Sequence, residues 1–124
     1  MQHPNHLVLY VEDPEASKRF YAGLLDAEPV EDRPGFVLFA LRSGLMLGLW
    51  ARAGVLPRPV ALPGGGEIGF PVATAGEVDA AYADWFRRGI SIAQPPADMA
   101  FGRTFLALDP DGHRLRVYAL SGRG

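Results

Sequence analysis

Residues 101–118 read FGRTFLALDPDGHRLRVY, and this stretch decides the fold. Asp109-Pro110-Asp111-Gly112 is a strong turn sequence, because Pro presets the backbone dihedral of a turn while Asp and Gly tolerate the conformations that close it. The turn joins two strands, Arg103–Leu108 and Arg114–Ala119, into a hairpin. Along the second strand Leu115 and Val117 alternate with Arg114, Arg116 and Tyr118. Successive side chains of a strand point to opposite sides, so this alternation predicts a sheet with one apolar and one mixed face.

Upstream of the hairpin, Ser91–Pro95 reads as a short strand. Gly76–Gly89 reads as a helix with Val78, Ala81, Tyr82 and Trp85 on one face. Glu67–Val72 reads as a strand whose Pro71 confines its end to a sheet edge or a bulge. Residues 53–66 are rich in Pro and Gly, show no apolar periodicity and read as a linker. Before the linker the same order of elements is found. His6–Val11 is a strand, and Asp13-Pro14 then opens a helix, with Asp as N-cap and Pro at the first helical position. Ala16, Phe20 and Leu24 recur at helical spacing, and Gly23 sits near the helix end. A short strand begins at Pro29-Val30, and Phe36–Leu41 and Leu45–Trp50 form a hairpin across Arg42-Ser43-Gly44. The order β-α-β-β-β thus occurs twice, in module one (6–51) and module two (67–119), with linker 52–66 between them. The fold class is α+β, two βαβββ modules within one domain spanning 1–124.

Composition narrows the function. A chain of 124 residues, 48% hydrophobic, is long enough to bury a sizeable core without staples. There is no cysteine, which excludes a disulfide framework, a thiol nucleophile and a cysteine zinc site. The N-terminus has no basic region leading into an apolar run, so neither a signal peptide nor a membrane span is expected, and a cytoplasmic location is. A net charge of −2 gives no reason to expect nucleic acid as a partner. No nucleophilic-serine motif is present. Gly64-Gly65-Gly66 precedes a strand rather than opening a helix, so it is a flexible connection and not a phosphate loop.

Two segments, HLVLYVEDPEASKRFYAGLL (6–25) and FGRTFLALDPDGHRLRVY (101–118), resemble the glyoxalase / bleomycin-resistance / dioxygenase superfamily, the vicinal-oxygen-chelate fold. Within it, GRTFLALDPDGHRLRV, the EPV after helix one and LGLW at residues 47–50 look most like the phenazine-antibiotic-resistance binding proteins. The resemblance implies paired modules curled into a half-open barrel with a cup-shaped site, and a homodimer. It also implies four metal-ligand positions, which fall on His6, Gly48, Glu67 and Arg116. Gly48 has no side chain and Arg116 no lone pair to donate, so neither a metal nor any other cofactor is expected.

Strand parity proposes a cup lining independently of the resemblance. Leu7, Leu9, Val11, Leu45, Leu47, Leu49, Ile68, Phe70, Val72, Leu115 and Val117 share the face that helices would cover. The other parity holds His6, Tyr10, Met46, Gly48, Trp50, Glu67, Arg116 and Tyr118. A mixture of aromatic, small and charged side chains suits a ligand-lined concavity. Trp50 offers a plate for stacking on a planar ligand, or else packs beneath the linker. The missing side chain at Gly48 would leave room beside the indole. Glu67 and Arg116 either meet ligand substituents or form an ion pair that shapes the pocket. Arg103 binds an anionic group or tethers the chain before strand seven, and Trp85 belongs to the core.

Two functions follow. One is a metal-free, non-catalytic protein that sequesters a planar aromatic small molecule such as an antibiotic. The other is an enzyme, either a metal-dependent glyoxalase-like lyase or dioxygenase, or a metal-free isomerase with His6 or Glu67 as base. The substitutions at the ligand positions and the aromatic face favour the first.

Overall fold

The computed structural model describes residues 1–121. The chain forms two compact units, residues 1–61 and the remainder from Leu62, and the division falls inside the stretch read as a linker.

In unit one, β1 (His6–Val11) leads into α1 (Pro14–Leu25). The carboxylate of Asp13 accepts from the backbone N–H groups of Glu15 and Ala16, the capping predicted for this position. The helix ends at Asp26, whose left-handed backbone (φ 50°) turns the chain out of the helix. Then come β2 (Glu31–Arg33), β3 (Phe36–Ala40) and β4 (Met46–Ala51), followed by a single 3₁₀ turn, Arg52–Gly54. The four strands form one sheet in the order β1-β4-β3-β2, with β1 parallel to β4 and the others antiparallel.

Unit two repeats this plan. β5 (Glu67–Pro71), α2 (Ala75–Arg87), β6 (Ser91–Met99), β7 (Gly102–Leu108) and β8 (Arg114–Leu120) form a sheet in the order β5-β8-β7-β6. β5 is an edge strand, where Pro71 is tolerated because no ladder needs its missing N–H. β6 runs well past the five residues read from sequence. It continues through Pro95-Pro96 because it too lies at an edge, and it absorbs the two prolines by register shifts between Ile92 and Gln94 and between Gln94 and Ala97.

The cores sit on the parity the sequence assigned to the helices. Val11, Val37, Phe39, Leu47 and Leu49 are buried in unit one together with Tyr21 of α1. In unit two Phe105, Ala107, Leu115, Val117 and Ala119 are buried with Val78 and Trp85 of α2. Trp85 meets Phe70 and Phe105 edge-on, with ring centroids 5.5 and 5.3 Å away, so it is a core residue as expected. Each large side chain buried in this way contributes about 1.5–3 kcal/mol, which holds each helix on its sheet. Leu7, Leu9, Ile68 and Phe70 are only half-buried, because β1 and β5 are edge strands. Among the described residues no helix is long and apolar enough to cross a membrane.

Candidate ligand-binding site

Pairing in the sheet of unit one sets side chains of neighbouring strands beside one another on the face away from the helix. Trp50 on β4 pairs with Tyr10 on β1 and Phe36 on β3, and Phe36 pairs with Arg33 on β2. One row, Arg33–Phe36–Trp50–Tyr10, therefore crosses all four strands. Both aromatic neighbours meet Trp50 edge-on: Tyr10 at 6.3 Å and 80°, Phe36 at 6.4 Å and 89°. Neither ring lies flat over the indole. The Arg33 guanidinium sits 5.9 Å from the centroid of the Phe36 ring, within reach of a cation–π contact.

A concavity of about 480 Å³ opens at this end of the row, lined by Arg33, Pro34, Gly35, Phe36, Trp50, Ala51 and Gly54. Its size suits a small aromatic molecule. The turn that shapes it is Pro34-Gly35, where Gly35 adopts φ 85°, a conformation that favours glycine. The side-chain polar groups on its wall are the Arg33 guanidinium and the Trp50 indole N–H. The indole nitrogen lies 3.9 Å from where a Cβ on Gly54 would stand.

Of the nine residues the sequence proposed for ligand binding, Trp50 alone lines this concavity. His6, Met46, Gly48 and Tyr10 share its sheet face but lie outside the lining. Gly48 does not leave empty room. Ring atoms of Phe36 stand 3.2 Å from the place a Cβ would take, and His6 Nε2 stands 3.3 Å from it. Phe36 was missed because parity was read only along the first and last strands of each module. Pairing Leu45–Trp50 against Phe36–Leu41, a hairpin already evident in the sequence, puts Phe36 beside Trp50.

The remaining candidates belong to unit two. Glu67 accepts from Arg116 through both oxygens, at 2.7 and 2.8 Å, and lies 3.5 Å from Arg114 Nη2. Arg116 also donates to the hydroxyl of buried Thr104, which donates at 2.7 Å to the Val117 carbonyl. The hydrogen bond from Arg116 holds the Glu67 carboxyl below its ordinary range, and the same bond raises Arg116 further. Glu67 and Arg116 thus form the ion pair that the sequence allowed. Tyr118 lies over Gly69, with a ring carbon 3.2 Å from where a Cβ would stand. Arg103 pairs with Ala119 in the register, so it stands on the helix side of the sheet with the core. There it donates to Asp79 of α2 at 2.8 Å and to Asp98 of β6 at 3.1 Å. It tethers helix to edge strand and does not join the other candidates.

The family profile described as the Glyoxalase/Bleomycin resistance protein/Dioxygenase superfamily matches residues 3–117. The chain belongs to that superfamily. Among curated proteins, the phenazine antibiotic resistance protein EhpR of Enterobacter agglomerans is 36% identical over 122 residues, covering 94% of this chain and 92% of that one. Protein ATC0852 of Agrobacterium tumefaciens has a similar structure, with TM-score 0.90 and 49% identity over 98% of this chain and all of its own. A glyoxalase/bleomycin resistance protein/dioxygenase from Nocardioides follows at TM-score 0.85 and 27% identity, over 100% of this chain and 87% of that one. Two βαβββ units, each with a four-stranded mixed sheet, are the vicinal-oxygen-chelate fold of the superfamily.

The positions that the superfamily resemblance gives to a metal do not fit one here. In unit one, Gly48 offers no donor and the Phe36 ring is packed over it. In unit two, both Glu67 oxygens are engaged by a guanidinium, which has no lone pair of its own to give. Among the described residues no group of three His, Asp or Glu side chains is placed to hold a metal ion.

Proposed function

We propose that this superfamily member is a metal-free binding protein that captures a planar aromatic small molecule by stacking it on Trp50. The observation that carries the reading is the concavity lined by Trp50, to whose indole neither aromatic neighbour lies parallel. Its kinship with a phenazine resistance protein supports a fused-ring ligand and a protective, sequestering role. Stacking on an indole contributes about 0.5–1.5 kcal/mol beyond the area buried, so Trp50→Ala should weaken binding about tenfold or more.

The test is tryptophan fluorescence titrated with phenazine in wild type and Trp50→Ala. The chain has two tryptophans, and the buried Trp85 provides a signal that should respond little. Chelator treatment should leave the wild-type affinity unchanged. Loss of binding with EDTA, or equal affinity in Trp50→Ala, would refute the reading. We also propose that the protein works as a homodimer, because each sheet ends in edge strands, β1 and β5 among them, whose outer backbone groups pair with no strand of their own sheet. Light scattering at tens of micromolar, in order-of-magnitude terms, should give twice the monomer mass.

A further inference from the structure

We infer that the ligand is an aromatic anion and that Arg33 selects it by pairing with a carboxylate attached to the stacked ring system. The inference rests on the stacking site just proposed and adds the charge of its occupant. Among the described residues Arg33 is the only ionisable one on the wall of the concavity that Trp50 lines. The side-chain polar groups there, a guanidinium and an indole N–H, are both donors that cannot accept. Among the described residues the indole N–H has no hydrogen-bond partner. A ligand that satisfies this wall must bring acceptors, and a carboxylate brings two in the plane a guanidinium favours.

Arg33 is available for this. Its ion pair with Glu31 uses Nη2 at 3.0 Å and is exposed on both sides, 69% and 45%. Such a pair is weak in water and leaves other guanidinium donors free. The neighbouring concavity sharpens the assignment. It shares Arg33, Pro34, Gly35 and Ala51 but adds Asp13, Glu15 and Asp32. An anion is repelled from that side and accepted on the tryptophan side, where no carboxylate lines the wall. The guanidinium also lies over the Phe36 ring, 5.9 Å from its centroid, and Phe36 lines the same wall as Trp50.

The experiment compares phenazine-1-carboxylate with phenazine-1-carboxamide, which share shape but differ in charge, by fluorescence titration at neutral pH. Wild type should prefer the carboxylate about tenfold or more. In Arg33→Gln the ratio of the two affinities should fall to within about threefold, and Arg33→Lys should recover part of the preference. Arg33 is too exposed for its loss to endanger folding. If wild type binds both compounds equally, or if Arg33→Gln keeps the preference, this inference falls while the stacking site stands. If neither compound binds, both fall.

Discussion

Two rows of side chains, one in each unit, occupy matching places at the ends of β1 and β5. In unit one the row is Tyr10, Trp50 and Phe36; in unit two it is Pro71, Tyr118 and Thr104. One register further along, Val8, Gly48 and Leu38 correspond to Gly69, Arg116 and Leu106. In both units an aromatic ring covers a glycine, Phe36 over Gly48 and Tyr118 over Gly69. The glycine is on the last strand in one unit and on the first in the other. In unit one this arrangement leaves Trp50 beside an open concavity. In unit two the position matching Gly48 carries Arg116, which is consumed by Glu67 and Thr104. One topology therefore leaves an open concavity beside Trp50 in unit one, while in unit two polar groups close on one another. The difference teaches that what the open face of each sheet holds rests on a few positions and not on the path of the chain.

The largest effect expected from breaking this contrast is at Gly102, in the hairpin strand of unit two. Its φ of 146° and the Ala119 carbonyl, into which a Cβ would run, leave no place for a side chain. Gly102→Ala should cost about 3 kcal/mol or more, read by urea denaturation. A cost below about 1 kcal/mol would mean that the end of this hairpin is far softer than drawn.

Removing the charge of Glu67 should have a smaller effect. Glu67→Gln leaves Arg116 without its carboxylate and should cost about 1–2 kcal/mol at neutral pH, after allowing for the partial exposure of the pair. Because the folded state holds the Glu67 carboxyl below its ordinary value of 4.5, the pair stabilises fully above that pH. Its contribution is lost as pH falls through the lowered folded value. The stability gap between wild type and Glu67→Gln, followed by thermal melts, should therefore stay constant down to about pH 5 and then close on acidification. A gap that widens in acid would contradict the assignment.

Gly48→Ala should have the smallest effect, because the groups in its way are side-chain ends and can yield. The Phe36 ring must shift by a few tenths of an ångström. We expect a cost of about 1 kcal/mol or less and an affinity change of no more than a few-fold, since Phe36 forms part of the concavity wall. A large loss of stability would show that Phe36 is locked, and the concavity more rigid than its open shape suggests.

By itself the sequence determined the order of elements, the Asp13 cap, the hairpin turns and the parity that divides core from open face. These are local properties, carried by turn chemistry and by the two-residue and 3.6-residue periods of strands and helices. Once the family resemblance marks Gly48 and Arg116 as metal-ligand positions, the sequence also determined that they make a poor site, because neither residue type has a donor to give. Tertiary structure decided what the open faces hold. Arg33 joins Phe36 and Trp50 only through the pairing of β2 with β3, and the space over Gly48 went to the Phe36 ring, which the hairpin of β3 and β4 sets beside Trp50. Arg103 left the proposed site for the same kind of reason: its pairing with Ala119 turned it to the helix side, where Asp79 and Asp98 hold it. The length of β6 was likewise a tertiary matter, since two prolines are acceptable in a strand only when the sheet places it at an edge.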